Sequence, residues 1–149
     1  MTSSFVPPSE SIVSQAFRDA GRSGVMKWDV VSVLPGQRFR LVFEGSVGEG
    51  RHGVWLKTDG AIEVNGMRAP GVDLWTDSTP QVIDFSIAAT TGKLHVYNIW
   101  HSGAGRSSQA WSSGMLIEEI PGGRRYRCND VGLKGEFDNV VFRLERIEA

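Results

Sequence analysis

Cysteine, excess charge and long apolar runs are all scarce in this chain of 149 residues. The single cysteine, Cys128, excludes an internal disulfide and a cysteine-based zinc site. The formal net charge of −1 argues against electrostatic binding of nucleic acid or of a membrane surface. No run approaches the roughly 18 apolar residues that a membrane-spanning helix needs. We therefore expect neither nucleic acid nor a membrane as partner.

What is present is the composition of a globular protein, with 40% hydrophobic and 22% charged residues. This length predicts a single domain over residues 1–149, with residues 1–8 as a flexible lead-in. The N-terminal MTSSFVPPSE has neither a basic region nor an apolar run, so we expect no signal peptide and a cytoplasmic location.

One helix is predicted near the N-terminus, over residues 9–21. Ser9 is a suitable N-cap, and Gly21 stands where a C-terminal glycine cap belongs. The apolar residues between them share one face at helical spacing: Ile12, Val13, Ala16, Phe17 and Ala20.

After Gly24 the hydrophobic period changes to alternation, which predicts about nine short strands. Hairpin turns are predicted at Asp59-Gly60, at residues 91–93 and at residues 121–123. Short strands without intervening helices predict an all-β fold, an antiparallel two-sheet sandwich of jelly-roll type carrying the one short N-terminal helix. Three segments are predicted to be long loops, at residues 46–52, 65–79 and 102–113.

The third loop carries the candidate ligand-binding residues, because tryptophans flank it on both sides. Trp100 and Trp111 either pack on the core and close the loop or form the walls of a binding site. In the second interpretation His101, Arg106 and Gln109 supply the hydrogen bonds, on a backbone that is rich in glycine and serine.

Other chemistry-bearing residues favour structural roles, and we assign no catalytic residue, no metal ligand and no cofactor. Cys128 shares an inward face with Tyr126, which predicts a buried, unreactive thiol. The histidines lack metal-ligand spacing. A basic cluster at residues 124–127 is expected to pair with Glu118 and Glu119 across a turn. A calcium ion held by oxygen ligands within residues 130–139 stays open.

Two stretches resemble β-sandwich carbohydrate-binding modules and their galactose-binding-like jelly-roll relatives. They are VLPGQRFRLVF at residues 33–43 and FDNVVF at residues 137–142. The resemblance implies aromatic side chains that stack on sugar rings, and the residues that match this role are Trp100, Trp111 and Trp75.

Our leading hypothesis is a non-catalytic binding module for a saccharide or a similar polar, ring-bearing molecule. One alternative is a structural or interaction domain whose tryptophan-rich loops bind a partner or a second copy. The other is a glycan-processing enzyme, which needs two facing carboxylates. Glu44, Glu63 and Asp84 are predicted to point outward and are its candidates.

Overall fold

The computed structural model describes residues 10–103 and 105–147. Within these residues the chain forms eleven strands and one short helix. The elements, in chain order, are β1 (Ile12–Val13), α1 (Gln15–Asp19), β2 (Val25–Ser32), β3 (Arg38–Gly45), β4 (Arg51–Val64), β5 (Met67–Trp75), β6 (Val82–Ala89), β7 (Lys93–Ser102), β8 (Gly105–Ser108), β9 (Gly114–Ile120), β10 (Gly123–Asn129) and β11 (Val140–Ile147).

Eight of the described strands close into an antiparallel barrel, in the order β2-β9-β10-β11-β3-β6-β4-β7. The ring is completed because β2 also pairs with β7, from Asp29 opposite Val96 to Ser32 opposite Lys93. The prediction of an open two-sheet jelly-roll sandwich is therefore wrong. Alternating strands with one buried face satisfy a sandwich and a small barrel equally well, and only the non-local closing pair distinguishes them.

Each of the remaining three described strands pairs with one strand of the barrel: β1 with β2, β5 with β4, and β8 with β7. Two of them extend the wall on the same sheet, since β5, β4, β7 and β8 are hydrogen-bonded in that order and share a broad outer face. This outer face carries most of the candidate site described below.

Strand β4 bends in the middle, where the sequence predicts a hairpin turn at Asp59-Gly60. Residues 51–57 pair with β7 and residues 61–63 pair with β6, so Asp59-Gly60 is a bulge within one strand. The backbone passes close to β6 here, since a Cβ at Gly60 would lie 2.1 Å from the carbonyl oxygen of Ala89. The turn itself is Asn65-Gly66, with φ of 51° and 80°, as a two-residue type I′ hairpin requires.

The two other predicted hairpins have different outcomes. Strands β9 and β10 pair directly around Pro121-Gly122, which confirms that turn. By contrast, residues 91–93 do not join a hairpin, because no ladder in the described chain connects β6 to β7. The bent β4 lies between these two strands and pairs with both.

The helix is shorter than the predicted residues 9–21, and Ser9 lies outside the described residues. Ile12 and Val13 pair with β2 as strand β1, because this edge offers backbone partners at Trp28 and Met26. The C-terminal cap is as predicted: Gly21 has φ of 84°, and the Arg22 amide donates to the carbonyl oxygen of Phe17.

The barrel interior is filled by aliphatic and aromatic side chains from every wall strand. Tyr126 and Phe142 stack at its centre with 4.6 Å between ring centroids. Cys128 is fully buried in the same cluster, which confirms the predicted inward face that it shares with Tyr126. A second small cluster of Phe17, Val25 and Phe137 seats the helix.

Candidate functional site

The tryptophan-flanked stretch is mostly a hairpin, in contrast to the predicted loop at residues 102–113. Strand β7 continues through Ser102, and β8 returns beside it, with His101 opposite Arg106. Trp100 is only 8% exposed and is opposite His52 of β4, whereas Trp111 is 70% exposed in the turn before β9. One tryptophan therefore belongs to the packed interior and the other projects into solvent.

The structure instead brings Trp75 and His101 together on the outer face. Their ring centroids are 6.5 Å apart in an edge-on arrangement. The Arg51 guanidinium lies 4.6 Å from the centroid of the Trp75 ring. Strand register produces this grouping, because Arg51 of β4 is opposite His101 of β7. Trp75 of β5 is opposite Gly53 of β4, and the absence of a side chain at Gly53 leaves room for the indole.

Arg51 forms a surface ion pair with Asp77, which follows β5. Its Nε donates to Asp77 Oδ2 at 2.7 Å, and its Nη2 donates to Asp77 Oδ1 at 2.8 Å. The hydrogen bond from Arg51 holds the pKa of the Asp77 carboxyl below its ordinary value. The carboxylate and the guanidinium therefore stay charged near neutral pH and form a surface ion pair beside the indole.

A depression of about 370 Å³ opens next to this group. Its lining is Glu49, Gly50, Arg51, His101, Ser102 and Gly103. Gly50 is required at the base, because it has φ of 81° and a Cβ there would lie 2.4 Å from the carbonyl oxygen of His101. We call Trp75, Arg51, Asp77, His101 and Glu49 the Trp75 site.

Arg106 lies on the same outer face but has another partner. It donates two hydrogen bonds to Asp73, each of 2.9 Å, and lies 5.1 Å from the centroid of the Trp55 ring. Trp55 continues a row of half-buried aromatic rings through Tyr97 to Trp28, each step being 6.4 Å. The remaining predicted residue, Gln109, is half-buried with φ of 53° at the end of the hairpin.

The aromatic row was missed by the sequence analysis. Trp28, Trp55 and Tyr97 each occupy an outward position of an alternating strand, which is a detectable signal. Their alignment, however, depends on the register of three strands that are distant in sequence.

A buried polar cluster at one end of the barrel was also missed. His52 Nδ1 is 2.6 Å from Asp130 Oδ2, and the Asn98 amide donates to Asp130 Oδ1 at 2.9 Å. Burial raises the pKa of the Asp130 carboxyl, while the hydrogen bond from Asn98 and the contact with His52 oppose that rise. Both carboxylate oxygens are thus engaged by side chains.

This cluster bears on the calcium hypothesis for residues 130–139. Asn139 Oδ1 accepts from the Asp130 amide, and the Asn139 amide donates to the Val47 carbonyl, so these polar groups hold the residue 46–50 loop in place. Within the described ranges no group of three or more His, Cys, Asp and Glu is arranged to hold a metal ion.

A second buried cluster surrounds Asp29 of β2. Tyr126 Oη donates to Asp29 Oδ2 at 2.6 Å, and Arg124 Nη1 donates to the same oxygen at 2.7 Å. Ser11 Oγ donates to Asp29 Oδ1 at 2.6 Å. Burial together with the neighbouring Asp29 holds the pKa of the Tyr126 hydroxyl well above its ordinary value. These contacts connect β2 to β10 across the interior and stabilise the barrel.

The three carboxylates considered for catalysis are each paired with arginine. Glu44 accepts from Arg125 and Arg143, Asp84 from Arg40, and Glu63 from Arg68. The hydrogen bond from Arg125 lowers the pKa of Glu44, and that from Arg40 lowers the pKa of Asp84. Glu44 and Asp84 therefore stay ionised near neutral pH, which does not suit a general acid.

The predicted pairing of the basic cluster is confirmed. Arg124 contacts Glu119 at 2.7 Å, and Arg125 contacts Glu118 at 3.6 Å. Both arginines have additional partners elsewhere, Asp29 and Glu44 respectively, so the cluster forms ion pairs on both sides of β10.

Within the residues that the structure describes, no helix has the length and apolar character to cross a membrane. Comparison with known proteins finds no matching family model, no matching curated protein and no matching solved structure. The residues of the Trp75 site therefore have to support any functional conclusion by themselves.

Proposed function

We propose that the protein is a non-catalytic saccharide-binding domain that uses the Trp75 site. The observation that carries this proposal is the half-buried Trp75 indole beside the Arg51–Asp77 ion pair and His101, since Arg51 and His101 line a depression of about 370 Å³. This volume lies toward the lower end of the roughly 300–1,000 Å³ range of small-molecule sites.

A sugar suits this combination of groups. Its C–H face packs against an aromatic ring, and its hydroxyl groups need donors and acceptors at fixed positions. Arg51 supplies donors and Asp77 supplies acceptors within one planar pair. His101 and Glu49 add polar groups on the exposed rim of the depression.

Screening an array of mono- and disaccharides, followed by calorimetric titration of the sugars that bind, tests the proposal. We expect Trp75→Ala and Asp77→Asn to weaken binding at least tenfold, because each removes one half of the combination. The matched control is Trp111→Ala, which removes an exposed indole that lies in the turn before β9 and is not part of the Trp75 site.

Thermal melts of each variant separate loss of binding from loss of folding. Asp77→Asn is the safer variant, since Asp77 is exposed and its pair with Arg51 lies at the surface. Absence of binding to every sugar, or unchanged affinity in both site variants, would contradict the proposal. Loss of binding only in Trp111→Ala would move the site to the other tryptophan.

A second candidate function is protein interaction through Trp111, and one observation favours it. Trp111 and Val131 are 70% and 62% exposed, and they flank the hydrogen bond from the Gly132 amide to Ser112 Oγ, 2.7 Å long. Exposed aromatic residues on a fixed loop are typical anchors of protein interfaces. If this surface joins two copies, the solution mass should fall from dimer to monomer in Trp111→Ala.

A further inference from the structure

The loop of residues 46–50 forms one side of the depression at the Trp75 site. Glu49 and Gly50 belong to the lining of the depression. The Gly50 backbone lies against the carbonyl of His101, which lines the depression from β7. The position of this loop therefore sets the shape of the depression.

Side chains from the end of the barrel hold the loop. At its start, the Asn139 side-chain amide donates to the Val47 carbonyl at 3.0 Å. Further along, the Gly48 carbonyl oxygen is 3.3 Å from His52 Nε2. His52 is 5% exposed, and its Nδ1 is 2.6 Å from Asp130 Oδ2. The imidazole therefore connects the loop to a buried carboxyl group.

Both ring nitrogens of His52 face an oxygen atom, which limits where the protons can be. A neutral imidazole has one N–H and one lone pair, so it can donate to only one of two acceptors. The pair of His52 and Asp130 makes both contacts only when it holds two protons, whether the second proton is on the imidazole or on the carboxyl. When one proton is left, it stays between the imidazole and the charged carboxylate, which is the stronger acceptor. Nε2 then faces the Gly48 carbonyl with a lone pair.

The other groups around the pair do not take part in this exchange of protons. Asn98 of β7 donates to Asp130 Oδ1 at 2.9 Å and does not titrate. Burial and the nearby Asp130 hold the pKa of the Cys128 thiol well above its ordinary value, so the thiol stays protonated. Arg51 alternates to the outer face of β4, and Glu49 is exposed. The proton is therefore gained and lost by His52 and Asp130 themselves.

Burial also decides which state of the pair is present at low pH and which at high pH. It raises the pKa of the Asp130 carboxyl, although Asn98 and His52 oppose that rise. The pair therefore keeps its second proton to a higher pH than an exposed carboxyl would allow. As the pH rises further, the second proton is lost and the contact with Gly48 becomes repulsive. Residues 46–50 are exposed, so the Gly48 carbonyl can then turn to water.

We propose that His52, Asp130 and the Gly48 carbonyl form a proton-dependent switch that regulates the Trp75 site. We call this group the His52 switch. With two protons on the pair, residues 48–50 are held at the depression; with one proton, they are released and the depression loses that side. The effect on saccharide affinity rests on the proposed function, whereas the movement of the loop does not.

NMR spectroscopy without any ligand tests the switch. In protein labelled with ¹³C and ¹⁵N, the ring nitrogens of the histidines and the carbonyl carbons of residues 48–50 are followed from about pH 5 to pH 9. We expect His52 Nε2 to lose its proton as the pH rises, and the Gly48 carbonyl signal to shift with the same midpoint. An Nε2 that keeps one protonation state throughout, or a Gly48 signal that does not follow it, would overturn the proposal.

Asp130→Asn mimics the carboxyl group that carries a proton. The new amide group can donate to His52 Nδ1, which leaves the ring proton on Nε2 and keeps the contact with Gly48, and its oxygen can still accept from Asn98. We expect Nε2 to stay protonated and the Gly48 signal to stop responding to pH. A response like that of the parent protein in the folded variant would overturn the proposal. If thermal melts show that the variant does not fold, the titration of the parent protein still decides.

His95→Gln is the matched control. His95 lies on the outer face of β7, opposite Lys57, and is not part of the switch. This variant should keep the pH response of the Gly48 signal, and loss of the response would show that the titrating group is not His52.

Calorimetric titration connects the switch to the Trp75 site. For each sugar that binds on the array, the affinity of the parent protein should fall about fivefold or more as the pH rises through the midpoint, and that of Asp130→Asn should stay constant. Constant affinity in the parent protein while the Gly48 signal shifts would overturn the regulatory role. Absence of binding to every sugar would overturn the proposed function, and the NMR titration would still decide whether the switch exists, so the two proposals fail separately.

Discussion

Removing one hydroxyl group from the barrel interior tests the role of the Asp29 cluster. Tyr126→Phe keeps the ring that stacks on Phe142 and deletes only the donor to Asp29 Oδ2 at 2.6 Å. A hydrogen bond to a charged group contributes about 1.5–3 kcal/mol. Asp29 Oδ2 retains its contact with Arg124, so we expect a loss of about 2 kcal/mol in the free energy of unfolding.

For a domain of this size the loss corresponds to a fall in melting temperature of about 4–8 °C. Urea unfolding followed by tryptophan fluorescence measures it directly. Tyr97→Phe is the matched control, because it removes the same atom from a half-buried ring on the outer face and should cost less than about 1 kcal/mol. A loss below about 0.5 kcal/mol in Tyr126→Phe, or an equal loss in both variants, would refute this reasoning.

Three other predictions concern packing, reactivity and pH. Gly60→Ala should destabilise the protein by about 3 kcal/mol in urea unfolding, because the new Cβ would meet the Ala89 carbonyl, whereas Gly45→Ala, with nothing within 4 Å, should be nearly neutral. Burial raises the pKa of the Cys128 thiol, so a thiol reagent should label the native protein far more slowly than the unfolded chain, and immediate labelling would contradict this. Arg125 holds the pKa of Glu44 below its ordinary value of 4.5, so the stability from this pair is present above that pH and is lost as the pH falls through the lowered value. Glu44→Gln should therefore lose less stability than the parent protein between about pH 5 and pH 3, by under about 1 kcal/mol, and a larger loss in the variant would be inconsistent with the assignment.

Local patterns in the sequence predict individual strands well and their pairing partners poorly. The alternation at Phe39, Leu41 and Phe43 corresponds to β3, and the Pro121-Gly122 turn joins β9 to β10. Asp59-Gly60 and Asn65-Gly66 both have residues that favour a hairpin turn. Only Asn65-Gly66 forms one, because β4 continues through Asp59-Gly60 while its pairing partner changes from β7 to β6. That passage is a tertiary effect without a local signal.

The candidate site illustrates the same limit. The sequence named Trp75 through the resemblance to carbohydrate-binding modules and His101 through its place beside the loop that tryptophans flank. They meet because β5 and β7 lie on either side of β4 in a particular register. The buried pair of His52 and Asp130 is separated by 78 positions, and neither residue has a neighbour in sequence that indicates the other.

The short ladder between β2 and β9 has a consequence for how the barrel opens and folds. Only Val25 and Met26 of β2 pair with β9, so the later residues of β2 have no backbone ladder to β9. Side-chain contacts of Asp29 with Arg124 and Tyr126 connect this part of β2 to β10 instead. Amide hydrogens of β2 should therefore exchange with solvent through a local opening that needs less free energy than global unfolding. Because Asp29 and Arg124 are 95 positions apart, their contact closes a long loop and should form late in folding, after the hairpin of β9 and β10.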